Sequence, residues 1–237
     1  MLLKQGGQNL DIALSYQEYG RGEPLLLLHG NGEDGRYFQK QIACFAEHWR
    51  VIALDTRGHG RSPRGTAPFT LAQFAQDLHD FMEERHIERA HLLGFSDGGN
   101  IALLFALRWP QRVNRLILTG ANLFPSGLKA LTLLQVDAAY AALAPLAPLS
   151  TRARRKMELL RLMAREPNID PHALARLALP VLVIAGTRDV IREEHTRLIF
   201  ESLPCGQLRI VPGGHNVAQE NPEAFNRAVL EFLLRLE

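Results

Sequence analysis

Six short, nearly unbroken apolar runs constrain the fold of this 237-residue chain more than any other feature: PLLLLHG (24–30), WRVIALD (49–55), AHLLGF (90–95), VNRLILTGA (113–121), PVLVIAGTRD (180–189) and LRIVPGG (208–214). Successive side chains of a strand point to opposite faces, so a continuous apolar run suits a strand covered on both sides. Helical patterns separate the runs. They cover 36–48, LAQFAQDLHDFMEERH (71–86) with Thr70 placed to cap it, the stretch after Ser96, and NPEAFNRAVLEFLLRLE (221–237). This alternation predicts an α/β fold, with a mostly parallel sheet and helices on both faces. At the start, MLLKQ, GGQN and LDIALSYQEYG read as a two-stranded hairpin with a glycine turn. Residues 127–177 hold no strand run and are rich in Leu, Ala and Arg. They are expected to form a small helical cap on a single domain spanning 1–237.

Several function classes drop out on composition. A net charge of +2 is too small to argue for nucleic acid or a membrane surface as partner. The N-terminal apolar run breaks after three residues, so neither a signal peptide nor a membrane span is expected, and the protein is placed in the cytoplasm. Cys44 and Cys205 are far apart with no CxxC spacing, which predicts a reduced pair and no zinc site. His195 in REEHT lacks HExxH spacing, and no metal is expected. A monomer or small homo-oligomer that needs no cofactor is anticipated.

Two motifs compete for the chemistry. HGNGEDG contains Gly30, Gly32 and Gly35 in G-x-G-x-x-G order after a strand, and Asp55 ends the next strand, which is the spacing of a dinucleotide fingerprint. That motif, however, follows the third predicted strand and leaves the second half of the chain unexplained. Gly94-Phe95-Ser96-Asp97-Gly98 explains more. It is G-x-S-x-G between a strand and a helix, a nucleophile elbow in which small flanking residues permit a sharp turn at the serine. A serine hydroxyl needs a base held by a third group. Asp189 and His215 follow the next-to-last and last strand runs, giving the chain order Ser96, Asp189, His215 at neighbouring carboxyl ends of the sheet. The backbone N–H groups of Asp97 and Asn31 are the candidate oxyanion donors. Gly30, Asp97, Leu123 and Phe124 are expected to meet substrate.

With those residues in hand, the chain resembles the α/β-hydrolase superfamily over nearly its whole length, through LLLLHGNG, DTRGHGRS, GFSDGGNIAL, PVLVIAGTRD and PGGHN. GFSDGG together with GANLF is similar to the biphenyl-hydrolase-like branch, which includes amino-acid-ester hydrolases. The resemblance implies an eight-stranded sheet with its second strand antiparallel and a cap inserted after the sixth. It also implies a serine hydrolase that cleaves a small carboxylic ester through an acyl-Ser96 intermediate. Carbon–carbon bond hydrolysis, a lyase reaction, and lactone, thioester or perhydrolytic chemistry on the same fold are the alternatives.

Two features keep two readings each. The Asp97 side chain either recognises a cationic group on the substrate or caps and hydrogen-bonds locally. A carboxylate about 6 Å from a developing oxyanion costs roughly 3 kcal/mol at an effective dielectric near 20, so it needs a partner or a direction away. The cap run TRARRKMELLRLMARE is either a solvated basic face with Met157, Leu160 and Met163 turned inward, or a steering surface for anions. His29 is expected to shape the oxyanion loop, and Asp77 to hydrogen-bond locally.

Overall fold

The computed structural model describes residues 3–5 and 8–235. The strands are β1 (Leu3–Gln5), β2 (Gln8–Leu10), β3 (Tyr16–Tyr19), β4 (Pro24–Leu28), β5 (Arg50–Leu54), β6 (Ala90–Phe95), β7 (Val113–Thr119), β8 (Val181–Gly186) and β9 (Gly206–Val211). The helices are α1 (Gln39–Phe45), α2 (Leu71–Glu84), α3 (Asp97–Arg108), α4 (Ala130–Leu143), α5 (Thr151–Arg165), α6 (Glu193–Glu201), α7 (Val217–Glu220) and α8 (Pro222–Leu233). A seven-stranded sheet runs β3-β5-β4-β6-β7-β8-β9. β3 is antiparallel to β5, and every other pairing is parallel.

The strands bury both faces, as their sequences demand. Leu26, Leu28, Ile52, Leu54, Leu92 and Leu116 face one core with α2, α3 and α6, while their neighbours Leu25, Leu27, Val51, Ala53, Leu93 and Ile117 face a second core with α1 and α8. α2 buries Leu71, Phe74, Ala75, Leu78, Phe81 and Met82, a helical stripe, and starts at Thr70, whose hydroxyl accepts the Gln73 N–H at 3.2 Å.

Among the described residues the sheet has seven strands and not the expected eight. β1 and β2 form a separate antiparallel pair, and the expected glycine turn between them lies outside the described residues. The cause is local. Asp11 accepts hydrogen bonds from Thr66 Oγ1 (2.6 Å), Thr66 N–H (3.0 Å) and Ala67 N–H (3.0 Å), so the chain is pinned away from the sheet, and only Tyr16–Tyr19 reaches the edge. Asp11 also pairs with Arg57, whose fully buried guanidinium donates to Asp77 at 2.7 and 2.6 Å. Asp77 is thus half of a buried bidentate pair that ties α2 to the loop after β5.

Between β7 and β8, α4 and α5 pack on each other. α5 buries Ala153 and Leu162 and leaves Met157, Leu160 and Met163 half-buried, whereas Arg152, Arg154, Arg155, Lys156, Arg161 and Arg165 are exposed. The basic run is a solvated face. The layer is fastened below by Arg64 to Glu158 (2.8 Å), by Leu71 N–H to Glu166 (2.8 Å) and by Ile169 N–H to the Leu123 carbonyl (2.8 Å).

Candidate active site

Ser96 sits between β6 and α3 with φ 53° and ψ −119°, a left-handed conformation that costs a non-glycine residue about 1–3 kcal/mol. The flanking glycines make the corner possible. A Cβ on Gly98 would lie 2.0 Å from the Leu28 carbonyl oxygen, and one on Gly94 would lie 2.2 Å from that of Gly98. The Ser96 N–H donates to the Thr119 carbonyl at 2.8 Å, which fixes the turn to β7.

Loops after β8 and β9 bring the other two residues to it. His215 Nε2 is 3.1 Å from Ser96 Oγ, and His215 Nδ1 is 2.7 Å from Asp189 Oδ1. The Ile191 N–H donates to that same Oδ1 at 3.0 Å, which leaves Asp189 Oδ2 buried with no partner among the described residues. An ionised Asp189 makes Nδ1 the protonated nitrogen, so Nε2 is free to accept from Ser96. Gly120, at φ +61°, makes room for the ring: a Cβ there would come within 2.7 Å of His215 Cε1.

The loop after β4 supplies the facing wall. His29 is buried. Its Nε2 accepts the Thr56 N–H at 3.0 Å, so its Nδ1–H donates to the Gly30 carbonyl at 2.8 Å. Burial lowers its pKa to about 4 and keeps the ring neutral. The Glu33 N–H reaches the same carbonyl at 3.3 Å, and Glu33 Oε2 accepts the Gly30 N–H at 3.1 Å. The Gly30–Asn31 peptide is planar, so clamping its oxygen directs the Asn31 N–H the opposite way. Among the described residues, neither the Asn31 N–H nor the Asp97 N–H has an acceptor.

Asp97 is 8% exposed. Its carboxylate accepts from Asn31 Nδ2 at 2.9 Å and, more weakly, from Asn100 Nδ2 of α3 at 3.5 Å. Burial raises its pKa to about 6, against the pull of the Asn31 hydrogen bond. Asn31 Nδ2 also donates to the Leu159 carbonyl of α5 at 2.9 Å.

A family model described as the alpha/beta hydrolase fold matches residues 23–162. The chain belongs to the α/β-hydrolase family. Among similar proteins is one assigned as the carbamate hydrolase RutD in Yersinia enterocolitica, 31% identical over 89% of this chain and 87% of that one. A 3-oxoadipate enol-lactonase 2 of Acinetobacter baylyi is 26% identical over 92% of each chain. The crystal structure of a hydrolase from Pseudomonas aeruginosa superposes with a TM-score of 0.79 at 30% identity, covering 94% of this chain and 95% of that one.

The α/β-hydrolase frame disposes of the dinucleotide motif. Asp55 spends its carboxylate on the N–H groups of Gly35 (2.9 Å) and Arg61 (2.8 Å), and Asp34 occupies the turn where a pyrophosphate would need free N–H donors. Among the four residues expected to meet substrate, Leu123 is fully buried in the core, its N–H donating to His195 Nε2 at 2.8 Å. Phe124 is half-buried, edge-on to His195, and Gly30 is buried. Neither Glu33, which accepts the Gly30 N–H within its own loop, nor His195, which packs against Gly127 across the fold, stands out in the sequence. A Cβ on Gly127 would meet the His195 ring at 2.6 Å. The small residue after the β7 run was the one available hint of Gly120. Among the described residues no three His, Cys, Asp or Glu side chains are grouped as a metal site, both cysteines are free, and no helix is long and apolar enough to cross a membrane.

Proposed function

We propose that this hydrolase opens a small lactone through an acyl intermediate on Ser96. The hydrogen-bonded series Ser96–His215–Asp189 carries the proposal. His215 Nε2 accepts the Ser96 proton as Oγ attacks the acyl carbon. The carbonyl oxygen becomes an oxyanion that accepts from the Asn31 and Asp97 N–H groups. His215 then protonates the departing oxygen, and a water activated by the same Nε2 releases the acid. Asp189 holds the imidazole in its working tautomer and stabilises the imidazolium.

The lactone is preferred to a simple carboxylic ester for two reasons. A relative named as an enol-lactonase aligns along 92% of the chain. α5 also lies close over the site: its Leu159 carbonyl is bonded to Asn31, and a Cβ on Gly32 would be 3.9 Å from Leu159 Cδ1. That closeness favours compact substrates. A carbamate is the second reading, favoured by the relative at 31% identity. We treat 127–177 as the cap of a single domain and Asp97 as a local hydrogen-bonding residue more than a site for a substrate cation. The test is a panel of small lactones, a carbamate, p-nitrophenyl esters of rising chain length and a chromophoric dienoate for carbon–carbon cleavage. The expected result is the highest kcat/KM on a small lactone, abolished in Ser96→Ala. A peak on long acyl chains, or turnover that survives Ser96→Ala, would overturn the proposal.

A further inference from the structure

We propose that the side chain of Asn31 is a positioning device that aims the oxyanion donor by joining the loop after β4, the N-terminus of α3 and the cap helix α5. It rests on the acyl-Ser96 reading. Asn31 Nδ2 has two protons, and both are used: one on Asp97 Oδ2 and one on the Leu159 carbonyl, each at 2.9 Å. The acceptors belong to segments 66 and 128 residues away, and both bonds are part-buried. The donor N–H belongs to the same residue. The peptide that carries it is clamped through the Gly30 carbonyl by His29 on one side and the Glu33 N–H on the other, and among the described residues the side-chain amide makes the hydrogen bonds of Asn31 itself.

Two consequences follow from that geometry. The Gly30 carbonyl holds one end of that peptide plane and the loop carries glycines at positions 30 and 32, so without the amide the plane can still tilt about the held oxygen and displace the Asn31 N–H. Displacements near 1 Å at a catalytic donor cost about a hundredfold in rate. The amide also meets the Asp97 carboxylate where that group would otherwise repel the oxyanion beside it. His215, Glu166 and Asn100 are the other groups acting on this carboxylate, and Glu166 is a second acid, so among its neutral partners Asn31 makes the shorter bond. Cap and oxyanion hole are therefore coupled: the cap helix is registered on the donor through one side chain.

The experiment compares wild type, Asn31→Ala, Asp97→Ala and the double variant on the best substrate of the panel, or on p-nitrophenyl acetate. Inhibition by a small alkylboronic acid, which forms a tetrahedral adduct with serine, is measured beside it. Both single variants keep their backbone N–H. The expected result is a kcat lower by about tenfold to a hundredfold in each, with KM nearly unchanged and boronate affinity falling by the same factor. The double variant is expected to lose no more than the larger single loss, because the Asn31–Asp97 bond is common to both variants. A general loosening of the fold would lower the melting temperature without tying kcat to boronate affinity. Asn31→Ala with kcat within twofold of wild type, a loss confined to KM, or additive losses in the double variant would overturn the proposal. Should Asn31→Ala fail to fold, Asp97→Ala alone decides by the same comparison. Failure of the acyl-Ser96 reading has a separate signature: activity that survives Ser96→Ala.

Discussion

Asp97 is a buried acid directly behind the candidate nucleophile. Its carboxyl is raised from 3.8 to about 6, first by burial, with Glu166 adding and Asn31 opposing. Between about pH 4 and pH 6 the native state holds a proton that the unfolded chain has released, so this group's contribution is fully present below about pH 4 and is lost as pH rises through 6. A gap of about two pKa units corresponds to about 3 kcal/mol. Asp97→Asn keeps an acceptor for Asn31 and removes the charge. Thermal melts should show the variant more stable than wild type at pH 7.5 and equal to it near pH 3.5; an equal or lower melting temperature at pH 7.5 would contradict the burial penalty. The sequence left Asp97 between substrate recognition, capping and local bonding, because the outcome depends on Asn31, 66 residues away. Ser96, Asp189 and His215 were legible as a set because the elbow motif and strand ends are local signals.

At the scale of elements, the elbow depends on how closely α3 approaches β4. A Cβ at Gly98 would be 2.0 Å from backbone oxygen Leu28 O, which no rotamer change relieves, whereas one at Gly99 meets the Ala121 methyl at 3.0 Å. Gly98→Ala is therefore expected to lose several kcal/mol of stability, within the range of severe core overpacking, and to reach the soluble fraction poorly. Gly99→Ala should remain folded. Urea midpoints of the two variants check this, and a wild-type midpoint for Gly98→Ala would show that α3 can retreat. β4 to β9 were legible because each is a continuous apolar run between turn signals. The first hairpin was legible as an antiparallel pair, but its separation from the sheet was not, since Asp11 and its partners at 66–67 hold the chain before the sheet edge. α6 escaped notice because REEHTRLIFE shows a short apolar stripe, and its buried His195 reads as polar in a sequence.

Across the whole molecule, one sheet carries the three site residues on its carboxyl edge, and three polar ties away from Ser96 hold the layers in register. Arg64 to Glu158 and Glu166 to α2 fasten the cap. The Asp11–Arg57–Asp77 group fastens the N-terminal segment and α2 to the loop after β5. Removing one partner of a buried pair costs about 3–5 kcal/mol. Asp77→Ala should lose stability of that order in urea denaturation while the folded fraction keeps its kcat; a loss under 1 kcal/mol would mark Arg57 as solvated in practice. All of this serves one claim, that the sheet edge delivers a nucleophilic serine to a base. Peptide mass spectrometry after brief treatment with a fluorophosphonate tests it most directly. A single adduct on Ser96, absent in Ser96→Ala and formed far more slowly in His215→Ala, is the expected result; an unmodified Ser96 in folded wild-type protein, or an adduct rate indifferent to His215, would contradict it.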